Sequence, residues 1–238
     1  MARLKRVALL CFSRLAVGFA LGLSALSLAG ESGPHRPPEM VDLTLLLNEA
    51  NYDIRYAGEN NFVGTPIAGY KAPKCLVHIS VAHALIRASE QLKKHDLRFK
   101  FFDCYRPQKA VQHFMRWAVD LEDTKTKTEY YPKINKNQLV GEYIAQRSGH
   151  SRGYTIDVTL ERQSMSGEFV PLDMGSPYDF FDTISNTADN RVSLEQKKNR
   201  YLLLGIMRDF GFRNYPKEWW HFTFKQDPEK TYFDFDIE

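Results

Sequence analysis

Apolar and polar positions alternate strictly from Thr155 to Leu160, with Ile156, Val158 and Leu160 on one side and Asp157 and Thr159 on the other. That period of two predicts a strand with one apolar and one polar face. The alternation returns near the C-terminus. There Trp220, Phe222 and Phe224 share a side and His221 opposes them, which predicts a closing strand over 219–224. Two other stretches carry helical spacing. Val81, Ala84, Leu85, Ala88 and Leu92 lie near a 3.6-residue period, with no Gly or Pro between Ile79 and His95, so a helix is predicted there. Ser193 and Gln196 form a capping box, Leu203, Met207 and Phe210 share a face, and Gly211 follows, so a scaffold helix is predicted over Leu194 to Phe210.

The Phe-rich run from Leu97 to Tyr105 reads as a buried strand, and Pro107 then opens a helix at the position where its missing N–H does no harm. Arg106 is thereby set at a strand-to-helix corner. Residues 162–167 read as a hairpin turn whose second strand is 168–172, and 173–182 as an aromatic loop. Residues 41–56 show no clean period, and 60–66 form a loop by their Asn, Gly and Pro content. The charged segment from Asp120 to Asn137 is expected to be a solvated surface excursion. The aromatic tail Tyr232 to Phe235 should pack back on the domain.

Composition changes the picture chiefly at the N-terminus. Arg3, Lys5 and Arg6 precede a mostly apolar run that ends in Ser27-Leu28-Ala29, the pattern of a secretory signal peptide over residues 1–29. Arg14 and the short apolar core weigh against the competing reading, an uncleaved anchor. Four of the 32 basic residues and none of the 29 acidic ones lie in this leader, so cleavage after Ala29 leaves 209 residues with a net charge of −1. The overall basic balance therefore belongs to the leader and gives no case for nucleic-acid binding. Residues 30–39, rich in Pro and Gly, read as a flexible lead-in, with one domain over 40–238. Cys75 and Cys104 remain after cleavage, and a bridge and two buried thiols are equally compatible with the sequence.

The candidate chemistry lies on the polar faces. If the two alternating strands are neighbours, Asp157 and His221 converge across the sheet, and His150 reaches them from the Ser/Gly/Arg loop that enters the first strand. Two His and one carboxylate leave an open coordination position, as a catalytic zinc does. Taken alone, the His150/Asp157 spacing is weak evidence, because a satisfied histidine in a Gly-rich turn explains it better. The weight comes from the joint occurrence of these three with a spare acid, Glu218, and a corner arginine, Arg106. His78 and His83 read as surface or packing residues.

Four motifs carry a family resemblance: Ser-x-His-x-x-Gly-x-x-x-Asp at 148–157, Asp-x-Tyr-Arg-Pro at 103–107, Asp-Met-Gly-Ser followed by Tyr-Asp-Phe-Phe-Asp at 173–182, and Glu-Trp-Trp-His at 218–221. The chain resembles the zinc D,D-peptidases, in particular the vancomycin-resistance type of D-alanyl-D-alanine dipeptidase, over nearly all of the mature chain. The resemblance implies an α+β domain with a central, mainly antiparallel sheet flanked by helices, as in hedgehog-like zinc domains, and one Zn2+ per chain. It makes His150, Asp157 and His221 the metal ligands, Glu218 the catalytic base and Arg106 the group facing the reacting carbonyl. Tyr56, Ser148 and Asp179 fall at substrate contacts, with Asp179 suited to the free ammonium of a dipeptide. The expected partner is a small D,D-dipeptide met in the periplasm, with no stable membrane anchor after cleavage. A D,D-carboxypeptidase on longer stem peptides, and an inactive zinc-stabilised binding module, are the competing expectations. Thr155 stands where the broader family has Ala, and Cys104 where close members have Gly; the second bears on the corner beside Arg106.

Overall fold

The computed structural model describes residues 35–228 and 230–238. The leader read at residues 1–29 lies outside them, as does part of the lead-in. In chain order the elements are β1 (Met40–Asp42), α1 (Leu43–Leu46), β2 (Asn51–Tyr52), β3 (Leu76–His78), α2 (Ile79–Lys93), β4 (Leu97–Asp103), α3 (Gln108–Val119), α4 (Lys127–Tyr130), β5 (Thr155–Gln163), β6 (Phe169–Pro171), α5 (Leu194–Asp209), β7 (Phe212–Asn214) and β8 (His221–Phe224). Among the described residues no helix is long and apolar enough to cross a membrane.

The main sheet has the order β2-β4-β5-β8-β7, with β6 paired to the far end of β5. Only β2 and β4 run parallel, so this is the mainly antiparallel α+β sheet expected, and β1 and β3 form a separate antiparallel pair. The decisive register is between β5 and β8, where Asp157 lies directly opposite His221. One feature of the alternation needs correction. The polar face of β5 is not exposed to water: Asp157, Thr159 and Glu161 are nearly as buried as Ile156, Val158 and Leu160. A charged group on that strand must therefore be satisfied inside the protein.

The apolar stripe of α2 is buried as its spacing requires, and His78 caps the helix by accepting from Ser80 N at 3.2 Å while stacking on Tyr154. His83 is exposed. The capping box of α5 forms, Leu203 and Met207 are buried, and Gly211 beyond its end takes a positive φ of 94°. Beyond its scaffold role, α5 holds the aromatic loop. The buried Arg200 guanidinium donates to the carbonyls of Met174, Ile184 and Asn186 at 2.6–3.0 Å. The closing strand is shorter than the alternation predicts, because Trp219 and Trp220 lie in the turn before it.

The segment 120–137 is a second correction. Tyr130, Tyr131 and Lys136 are buried. The Lys136 ammonium donates to the carbonyls of Asp120 and Asp123 and sits 4.0 Å over the Trp117 ring. A charged side chain there holds the loop down where a surface position was expected, because its stem is apolar and its head finds carbonyl partners. Cys75 and Cys104 form a disulfide that ties the start of β3 to the end of β4. The tail does pack back: Phe235 is buried and stacks on Tyr105 at 4.2 Å.

Candidate active site

His150 sits in a short 3-10 turn, Gly149–Arg152, capped at its start by Ser148, whose hydroxyl accepts from His150 N at 3.3 Å. Gly153 ends the turn at φ 79°, and a Cβ there would run into Met40. The local sequence Ser-x-His-x-x-Gly is thus what aims the ring. His150 Nδ1 lies 2.7 Å from the carbonyl oxygen of Cys104, which can only accept, so this nitrogen carries the proton and Nε2 is bare. Cys104, the departure noted beside Arg106, therefore contributes its backbone to the site and its sulfur to the bridge beneath it.

The bare Nε2 points at Asp157 Oδ1 and at His221 Nδ1, 3.3 Å from each, and His221 Nδ1 lies 3.1 Å from Asp157 Oδ1. Asp157 Oδ1 is buried and has no hydrogen-bond donor. Three electron-rich atoms face one another, and a cation among them resolves the arrangement. Tetrahedral zinc with bonds of 2.0–2.1 Å holds its ligand atoms about 3.3–3.4 Å apart, which matches this triangle. His150, Asp157 and His221 could thus hold one metal ion between them, and the spacing of their donor atoms fits zinc. His150 and Asp157 are fully buried while His221 is partly exposed, so the remaining coordination position opens toward the cavity.

That cavity, about 260 Å³, is lined by Asp157 and His221, which His150 touches, and by Tyr56, Arg106, Ser148, Asp179 and Glu218. All eight residues read from the sequence are therefore brought to one place. Its volume falls just below the usual range for drug-sized ligands, which fits a small substrate. Glu218 Oε2 stands 3.3 Å from His221 Nδ1 without belonging to the converging triad. Burial pushes its carboxyl up to about 7, with the His221 imidazole pulling the other way. Arg106 donates through Nε to Asp103 Oδ2 at 2.9 Å, and its Nη2 lies 3.5 Å from Asp157 Oδ2. Across the cavity, Tyr56 Oη lies 2.8 Å from Asp179 Oδ2.

Three groups escaped the sequence reading although two lie inside its motifs. Asp103 is wholly buried between Arg106, the Tyr70 hydroxyl at 2.6 Å and His150 Nδ1 at 3.5 Å. A carboxylate at the end of a Phe-rich strand was the signal for it. Tyr178 donates from Oη to Asp157 Oδ2 at 3.0 Å, and no period in its loop marks this. Tyr70 lies in no motif at all.

A mixed sheet with a His/Asp/His donor set, an open position and one spare carboxylate defines a zinc-hydrolase site. The chain belongs to the D-Ala-D-Ala dipeptidase family of zinc peptidases, which it matches over residues 36–238. It is 38% identical to the D-alanyl-D-alanine dipeptidase of Enterococcus faecium and 39% identical to that of Streptomyces coelicolor, in each case over 81% of this chain and 95% of the relative. It is 31% identical to the Escherichia coli protein of the same name, over 79% of this chain and 86% of that one. A solved vancomycin-resistance D,D-pentapeptidase bound to Zn(II) aligns at a TM-score of 0.37 and 17% identity, covering 63% of this chain and 74% of that one.

Proposed function

We propose that this chain hydrolyses the D-Ala-D-Ala dipeptide to two molecules of D-Ala, with Glu218 as the general base. The observation that carries the reading is the small cavity lined by Asp157 and His221 of the donor set, by Glu218 beside them and by a second buried carboxylate, Asp179, elsewhere on its wall. Zinc held by the three donors supplies a Lewis acid and brings the pKa of a bound water toward about 7. Glu218, its carboxyl raised by burial, takes a proton from the water whose oxygen adds to the peptide carbonyl carbon and returns it to the amino group that leaves as the C–N bond breaks. Arg106, always protonated and fixed on Asp103, faces the carbonyl oxygen as negative charge builds there. Asp179 and Tyr56 receive the substrate's ammonium, and Ser148 contacts it from the turn that carries His150. A carboxylate reserved for a free N-terminus favours dipeptides over longer chains.

The reading includes export. The leader at residues 1–29 supports a periplasmic enzyme free of the membrane after cleavage, and the mature charge of −1 supports a small-molecule substrate over nucleic acid. Mass spectrometry of the secreted protein is expected to show Gly30 at its N-terminus; an intact leader would refute export by cleavage.

The catalytic test compares D-Ala release from D-Ala-D-Ala and from a pentapeptide stem by zinc-loaded, chelator-treated and zinc-restored protein. Release from the dipeptide, lost to the chelator and regained with zinc, is expected. Absence of release at saturating zinc sinks the reading, and equal cleavage of the pentapeptide makes the protein a carboxypeptidase.

A further inference from the structure

Asp157 offers one oxygen to the metal donor set and turns the other away. Its Oδ1 makes the contacts of 3.1 and 3.3 Å with His221 and His150, whereas Oδ2 lies 3.0 Å from Tyr178 Oη. The other partner of Oδ2 is Arg106 Nη2 at 3.5 Å, a weak contact. The phenol is itself fixed. Its ring is buried, stacks on Phe102 at 4.5 Å and 14°, and meets Trp220 edge-on at 5.4 Å. A carboxylate accepts and a phenol O–H has one proton to give, so this bond locks the carboxylate torsion that separates the two oxygens' roles.

We propose that Tyr178 is a positioning residue for the zinc site: its hydroxyl holds Asp157 so that Oδ1 alone meets the metal. The same oxygen joins the two walls of the cavity, because Tyr178 Oη lies 3.2 Å from Tyr56 Oη, and Tyr56 Oη lies 2.8 Å from Asp179 Oδ2. The Tyr56 proton goes to Asp179, so the single Tyr178 proton serves Asp157 at 3.0 Å or Tyr56 at 3.2 Å, and the shorter contact to a carboxylate is the stronger; losing the hydroxyl frees Asp157 while Tyr56 stays held by Asp179. A ring without the hydroxyl would pack equally well against Phe102 and Trp220. The contact to Asp157 is therefore what distinguishes Tyr178 from a packing residue.

The proposal rests on zinc occupying the His150, Asp157 and His221 site, and its first readout needs no substrate. Tyr178→Phe is titrated with zinc against a chromophoric chelator. An outer-shell hydrogen bond to a metal ligand is commonly worth 10- to 100-fold in affinity, and a weakening of about that size is expected. At saturating zinc, kcat should fall while KM for the dipeptide holds within about twofold, since the substrate's ammonium meets Asp179 and Tyr56. The metal-free variant should melt with the metal-free wild type. Phe102→Leu, which loosens the stack but keeps the hydroxyl, is the control for packing. Zinc affinity of Tyr178→Phe within about twofold of wild type, or an equal weakening in Phe102→Leu, overturns the proposal. A wild-type protein that binds zinc tightly yet releases no D-Ala would defeat the dipeptidase reading and leave this one standing.

Discussion

Asp157 and Asp179 are both buried in the wall of one small cavity, and their surroundings drive them in opposite directions. Burial opposes the charge on each. For Asp157 a positive charge on the neighbouring His150 and His221, the place a bound cation would take, overcomes it and holds the carboxyl far below the usual range. Nothing comparable faces Asp179. Burial, reinforced by the negative charge of Asp157, pushes it well above that range, against smaller opposing effects from Tyr56 and Arg106. The backbone repeats the contrast. Asp157 lies mid-ladder, paired to β4 and β8, whereas Asp179 sits in a loop at φ 58°, a conformation non-glycine residues seldom adopt. One wall is built to keep a charge, and the other is short of a cation, which on the proposed reading the ammonium of a dipeptide supplies.

The largest effects should follow from changes beside the first wall that spare its ligands. Glu218→Gln is expected to lower kcat by about 10²- to 10⁴-fold, the usual worth of a general base, while a zinc titration gives the wild-type stoichiometry. Loss of zinc would instead make Glu218 a ligand, and the contrast between the two walls would have to be redrawn. Arg106→Ala should cost about 10²- to 10³-fold in kcat, as removal of one oxyanion donor does. Because Arg106 also anchors on Asp103, circular dichroism must show an unaltered fold for that loss to count as catalytic.

The same contrast explains what could be read from the chain without coordinates. Asp157 and His221 were legible because strand alternation is periodic and their opposition follows once two such strands pair. His150 was legible because Ser148 and Gly153 are the start and stop residues of a tight turn. The burial of the polar face of β5 was not legible. Alternation reports which residues share a side, and the β5 polar side is covered by material from elsewhere in the chain. The loop wall followed no period: Tyr178 reaches Asp157, and Arg200 reaches three loop carbonyls, through tertiary contacts alone. Lys136 departs from the solvated face that its charge run predicts, because its ammonium meets the Asp120 and Asp123 carbonyls, contacts that composition does not encode. The motifs named Asp179 by resemblance, and the structure adds that its carboxyl is buried near the charge of Asp157 and accepts from Tyr56.

Asp179→Asn separates function from stability on the second wall. Its folded carboxyl titrates above the unfolded value of about 3.9, so its neutral form stabilises the native state at low pH. That contribution is lost as pH rises toward the raised folded value, and at neutral pH the buried group costs stability. Asn removes the charge, tolerates the positive φ and still accepts from Tyr56. The variant should melt higher than wild type at pH 7, by about 2–4 °C per kcal/mol recovered, and the gain should shrink toward pH 4. KM for the dipeptide should rise by about 10- to 100-fold, since a charge-assisted hydrogen bond is worth about 1.5–3 kcal/mol. A lower melting temperature at pH 7 would mean the carboxylate is compensated inside the protein, and the two walls would not differ as described.

The smallest effect concerns an exposed ion pair beside the cavity. Lys217, next to Glu218, pairs with Glu142 at 2.5 Å, and Glu142 lines the cavity from the segment before Ser148. Both side chains are about half exposed, so water and salt screen the pair and little stability should depend on it. Its effect should instead be steric, because the pair bridges two segments that border the cavity. Glu142→Ala is therefore expected to leave the melting temperature and D-Ala-D-Ala turnover essentially unchanged while raising the rate on a D,D-tripeptide a few-fold. Added salt should reproduce part of that change in the wild type, as screening opens the pair. An unaltered tripeptide rate would leave the exclusion of longer substrates to Asp179 alone, which would put the whole of substrate choice on the loop wall.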